Sequence, residues 1–212
     1  SAAVVVVIMF FGITAPAGYV WFAFAGAAGA AVVVYAVAAA GREGATPIKL
    51  ALAGACVSAA LTSLVTAILV TGTDVLDTFR FWQVGAVGGR GFETFLPILP
   101  FLAVGALIAL ASGRALNALS LGDDVARGLG QDVRRSRLVV GCAVVLLCGG
   151  ATAAAGPIAF VGLTVAHVAR AITGPDNRWV LPFSGVLGAA LVVLSDVLGR
   201  VVAQPGQLQV GI

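Results

Sequence analysis

The chain has 212 residues, 60% of them hydrophobic and 28 of them glycine, and its 12 Lys and Arg against 9 Asp and Glu give a formal charge of +3. Globular domains carry about 25% charged residues; the 10% present here cannot clothe a water-facing shell. That composition excludes a soluble enzyme, a nucleic-acid-binding domain and a disordered tail, and it leaves an all-α, polytopic transmembrane helical bundle in a lipid bilayer.

A helix needs about 20 apolar residues to cross the hydrocarbon layer. Runs of this kind predict spans at 19–40, 50–72, 95–112, 138–155 and 180–199, with a shortened run at 2–14 and a short apolar piece at 158–170. The chain opens at Ser1 inside an apolar run with no basic segment before it, so residues 1–14 do not read as a signal peptide. It stops at Ile212, where a further apolar element would begin, so the bundle reads as truncated at both ends.

The connections between spans fall into two sets. One set, 41–49, 113–137 and 170–179, holds Arg42, Lys49, Arg114, Arg127, Arg134, Arg135, Arg137, Arg170 and Arg178, nine of the twelve basic residues. The other set holds Arg80, Arg90 and Arg200, whereas the acidic residues divide five to four. Lys and Arg are retained on the cytoplasmic side of a membrane and acidic residues contribute little. Residues 113–137 are therefore expected to be cytoplasmic, and 73–94 and 200–212 to face outward. Small residues four apart, Gly26 with Ala30 and Gly185 with Ala189, are expected to let helices approach closely.

The apolar runs carry little reactive chemistry. There is no HExxH, no GxSxG before a helix and no pair of mid-span aspartates. Cys56, Cys142 and Cys148 lie singly in apolar runs without metal-site spacing, so neither a metal nor a cofactor is expected. His167, the sole histidine, reads first as a structural hydrogen-bonding residue and second as a ligand or proton relay. Asp196 precedes Arg200 by four residues, a spacing that permits contact along one helix face. An interfacial ion pair and a functional role both fit it.

Two segments stand out. Gly156-Pro157-Ile158-Ala159-Phe160-Val161-Gly162-Leu163 should break the helix, because proline cannot donate and glycine relaxes the backbone. The break is either a surface loop or a broken helix packed inside protein. In 113–137, apolar Leu116, Leu119, Val125 and Leu129 predict two short amphipathic helices divided at Gly122. Asp123 and Asp124 suit the first turn of the second, and Gly130 suits a left-handed cap at its end. Such a helix–turn–helix is a rigid knob, suited to docking, although a structured loop without a partner fits equally well.

At these segments the chain resembles the permease subunits of binding-protein-dependent ABC importers for ferric siderophores, haem and cobalamin, the FecCD/BtuC family. Phe81-Trp82-Gln83-Val84-Gly85 is similar to the family's FWxxG stretch, and Leu121, Gly122, Ala126, Leu129 and Gly130 match its LG-x(3)-A-x(2)-LG segment. Gly156, Pro157 and Gly162, followed by His167 and Arg170, resemble GPIgFVGLxxPHxxR, with Ala166 standing where the family has proline. Asp196 and Arg200 match DxxxR, and Leu208 to Ile212 resembles ELPVGI.

The resemblance implies a type II ABC importer permease fold, with 1–212 as a single transmembrane domain. The family has ten spans per subunit, so the first two and the last would be missing here. It also implies a second permease subunit, a cytoplasmic ABC ATPase and an extracytoplasmic substrate-binding protein, with no enzymatic activity in the permease itself. Leu121, Gly122, Ala126, Leu129 and Gly130 would then sit in the ATPase cleft, and ATP-driven closure would push 113–137. Arg200 would pair with acids of the binding protein; Arg80 and Arg90 join it by sidedness alone. The implied function is ATP-driven import, with ferric siderophores as first cargo and haem or cobalamin as alternatives. A non-transporting truncated paralogue or membrane scaffold, and an uncoupled pore, are the rivals.

Overall fold

The computed structural model describes residues 16–40, 46–71, 95–158 and 160–202. Among the described residues there are eight helices and no strand: α1 Pro16–Ala39, α2 Pro47–Thr71, α3 Leu99–Ala111, α4 Gly113–Ser120, α5 Asp123–Gly128, α6 Val133–Ala155, α7 Val161–Thr173 and α8 Asn177–Val202. Among them α1, α2, α6 and α8 are long and apolar enough to cross a membrane. The expected run at 2–14 lies outside the described residues.

Two spans differ from expectation. The segment 95–112 yields only the 13 residues of α3, which rise about 20 Å at 1.5 Å per residue. It then bends by 50° into α4 at the buried Ser112, whose hydroxyl donates to the Ile108 carbonyl at 2.6 Å. Conversely, α6 starts at Val133 rather than 138. Asp132 accepts the Arg135 backbone N–H at 3.0 Å, satisfying one of the free donors of the first turn. Arg134, Arg135 and Arg137 therefore belong to the first turns of a spanning helix, not to a connecting loop.

The bundle centre is where α1, α3 and α6 meet. Phe101 of α3 packs against Trp21 and Phe24 of α1, with ring centroids 5.6 and 5.0 Å apart. Glycines on α6 and α3 let these helices close. A Cβ on Gly149 would lie 2.7 Å from the Phe24 ring, one on Gly150 2.7 Å from Leu102, and one on Gly105 3.0 Å from the Leu146 Cβ. In α8, by contrast, Gly185 and Ala189 are exposed and nothing lies within 4 Å of Gly185. Among the described residues this pair meets no neighbouring helix. Spacing alone cannot say which face of an apolar helix meets protein and which meets lipid.

The basic connections converge at one end. Ala38 at the end of α1 packs on Ala53 near the start of α2. Tyr35 and Ala39 line a cleft with Arg127, Gln131, Arg134 and Arg137. The turn between α7 and α8 meets α4 through Asn117. Among the described basic residues, Arg200 alone lies at the opposite end, at the far end of α8. The nine-to-three division of Lys and Arg thus corresponds to a spatial one for every described basic residue; Arg42, Arg80 and Arg90 lie outside them.

Candidate functional site

The knob at the basic end is built as its sequence pattern requires. α4 and α5 are separated at Gly122, which has φ 99° and ψ 155°, a region that is essentially glycine-only. α5 is acidic in its first turn and basic in its last. It ends in a Schellman arrangement: the Gly130 N–H donates to the Arg127 carbonyl at 2.9 Å and the Gln131 N–H to the Ala126 carbonyl at 3.0 Å, with Gly130 at φ 79°.

Small residues fill the inside of the knob. Ala118, Ala126 and Val133 form a buried cluster, with Leu119 packed against it, and Ala126 is 0% exposed. Ala126 is therefore an internal spacer that lets α5 lie close, and it cannot itself touch a partner. Leu121, Val125 and Leu129 face outward, 62%, 50% and 63% exposed. Val125 belongs with the two leucines, although the motif match passed over it. Its signal was its apolar character on a segment otherwise rich in Asp, Arg and Gly.

Each half of the knob is tied to a different helix. From α5, Asp123 is gripped by the Arg137 guanidinium of α6, whose Nη2 lies 2.8 and 3.0 Å from the two carboxylate oxygens. The Arg127–Asp124 pair, at 3.0 Å, stays within α5 and is exposed. From α4, Asn117 Nδ2 donates to Asp176 Oδ1 at 2.6 Å, and Asn117 Oδ1 accepts from the backbone N–H and the Nδ2 of Asn177 at 2.8 and 2.9 Å. Asp176 also accepts the Arg178 N–H at 2.9 Å as it caps α8. These donors, the Arg178 amide first and Asn117 second, hold its carboxyl below the ordinary carboxylate value of 3.8. Asn117, Asp176 and Asn177 escaped the sequence reading because a bond across 59 residues leaves no local pattern.

The helix break falls where expected. α6 closes at Gly156, and α7 begins after Phe160, an exposed residue held at φ 64°. α7 then runs unbroken through Ala166 to Thr173, so without the proline the helix simply continues. His167 and Gly162 are exposed on it, as is Arg170, which sits in its last turn where the macrodipole favours a cation. At the other end of α8 the expected contact is present: Arg200 Nη2 lies 2.7 Å from Asp196 Oδ2. The Phe81 to Gly85 and Leu208 to Ile212 matches, with Arg80 and Arg90, lie outside the described residues. Among the described residues no group of three or more His, Cys, Asp or Glu could hold a metal.

Comparisons with known proteins agree with this architecture. The chain is 43% identical over 203 residues to the permease protein YfiZ of Bacillus subtilis (strain 168), covering 96% of this chain and 61% of the relative. It is 42% identical over 200 residues to the Fe(3+)-citrate import system permease protein YfmD of the same organism, covering 93% and 58%. To the ferric enterobactin transport system permease protein FepD of Escherichia coli (strain K12) it is 41% identical over 213 residues, covering 100% and 63%. The chain thus spans about three-fifths of the length of these curated relatives. A solved structure reported as an inward-facing conformation of a metal-chelate type ABC transporter shares the fold, with a TM-score of 0.81 at 22% identity over 99% of this chain and 66% of that one. The family model of the FecCD transport family matches residues 1–212 from end to end, and the chain belongs to that family of membrane permeases.

Proposed function

We propose that this chain forms part of the membrane permease of an ATP-driven, binding-protein-dependent importer of ferric siderophores or related iron chelates. On this reading it works beside a second permease subunit, a separate cytoplasmic ABC ATPase hydrolyses ATP, and an extracytoplasmic binding protein delivers cargo. On this reading the iron travels inside its chelator. YfmD and FepD are named for ferric citrate and ferric enterobactin, and the choice of cargo class rests on them.

The observation that carries the reading is the exposed triad Leu121, Val125 and Leu129 on a rigid cap at the basic end. Water would not tolerate such a cluster without a partner as readily as an apolar cleft would take it. On this reading 113–137 is the cytoplasmic coupling segment, with Gly122 and Gly130 setting its shape and Ala126 its thickness. A ligand-induced or ATP-induced push can shift the transport path only through contacts that differ between its two states.

The test is reconstitution of the full permease with its ATPase and binding protein. Leu121→Asp with Leu129→Asp should remove ATPase co-purification and ATP-dependent uptake together, since truncating or charging interface anchors costs about 2 kcal/mol or more. Retained association would refute the docking role, and association without any uptake by the wild type would favour a scaffold. Arg200, half exposed beside Asp196 at the opposite end, is the proposed contact for acids of the binding protein. Arg200→Glu should weaken capture severalfold at low salt and less at high salt, as a rim charge acts by steering. An unchanged affinity at both salts would remove that assignment. An i,i+4 ion pair on a helix is worth about 0.3–0.5 kcal/mol, so the fold should survive the change.

A further inference from the structure

The two ties of the knob are unequal in what they reach. Arg137 links α5 to α6, a helix already packed against α1 and α3 through Gly149 and Gly150. Asn117 links α4 to the hairpin of α7 and α8. Among the described residues, the side-chain hydrogen bonds that leave this hairpin converge on Asn117. A second contact reinforces them: a Cβ on Gly113, the first residue of α4, would lie 3.2 Å from the Arg178 Cα. α4 therefore meets the start of α8 at backbone distance, and it is stitched there by a side chain that donates and accepts at once.

From this geometry, and resting on the transport reading above, we infer that Asn117, Asp176 and Asn177 are positioning residues that make α4 and α8 one rigid body. A push on the knob then moves α8 directly. Its 26 residues, Pro182 among them, rise at most about 39 Å, more than the roughly 30 Å hydrocarbon layer, and end at the Asp196–Arg200 pair. The same body thus carries Leu121, the α4 side of the proposed ATPase contact, at one end and the proposed binding-protein contact at the other. The lock also uses the carboxylate economically. Asp176 caps α8 locally and receives Asn117 on the same oxygen, so the acceptor for α4 is held in place by the start of α8.

Docking and transmission are separable in this arrangement. In the full permease, assembled with ATPase and binding protein, Asn117→Ala should leave ATPase co-purification and basal hydrolysis unchanged. It should lower uptake and binding-protein-stimulated hydrolysis about tenfold, within the usual span of coupling between sites. The sharper test is a pair, Asn117→Cys with Asn177→Cys, in a background where Cys56, Cys142 and Cys148 are alanine. Reduced, the pair should be as impaired as Asn117→Ala; oxidised, it should regain uptake, because a covalent bond replaces the lost hydrogen bonds. Uptake at the wild-type level in the reduced pair overturns the inference. So does silencing of transport by oxidation, which would mean that α4 must slide on α8. Loss of ATPase co-purification in Asn117→Ala also overturns it, since the residue would then only hold the knob folded. Failure of the wild type itself to bind an ATPase would instead sink the transport reading.

Discussion

Gly122→Leu is expected to reduce ATPase co-purification and uptake by one to two orders of magnitude. At φ 99° and ψ 155° a side chain is forced into backbone geometry that costs about 1–3 kcal/mol, and the chain can escape only by rotating α5 against α4. That rotation would carry Val125 and Leu129 away from Leu121, whose common exposure defines the proposed docking face. The natural control is Gly128→Ala. Gly128 is the last residue of α5 and has no positive φ, with open space where its Cβ would go. Alanine there should stabilise the helix by up to about 1 kcal/mol and leave association intact. The comparison is read by pull-down of the ATPase on the permease in detergent. Equal retention by both variants would show that knob shape is irrelevant to docking.

Gly150→Leu is expected to lower the thermal midpoint of the purified permease and its folded yield, with uptake falling in proportion to the protein lost. Its Cβ alone would come within 2.7 Å of Leu102 and 3.3 Å of Ile98, a side chain that is fully buried. Overpacking of a filled interior costs about 1–3 kcal/mol. Leu102 can rotate to admit a methyl group, so Gly150→Ala should be milder, but no rotation makes room for leucine. Gly105→Leu should behave similarly, as the atom it meets first is the Leu146 Cβ, which cannot move without its helix. Gly188→Ala on α8 meets nothing within 4 Å and should leave the midpoint unchanged or raise it. Scanning fluorimetry on the four variants checks the order. A midpoint for Gly150→Leu equal to the wild type would mean that α3 and α6 are not in contact as described.

Spans, break and knob could be read along the chain because each rests on interactions within a few residues. Twenty apolar residues satisfy their own backbone in a helix. Gly156-Pro157 stops one, and Asp123, Asp124 and Gly130 bound another. The Asp196–Arg200 contact could likewise be read, being one turn apart. Boundaries were weaker where a polar turn continues a helix, as at 133–137, because only the Asp132 cap shows where the helix begins.

Sequence alone, then, determined that this is a membrane bundle with nine of its twelve basic residues in the connections of one side and a hinged two-helix cap there, since composition, charge asymmetry and turn chemistry are local properties. Only tertiary structure decided which glycines seat neighbouring helices, that Ala126 is sealed inside while Val125 is exposed, and that Asn117 reaches Asp176 and Asn177. In so apolar a chain the faces turned toward lipid and toward protein carry the same residues. The choice between them is made by close packing and by hydrogen bonds across distant segments, and neither has a period that a sequence can display.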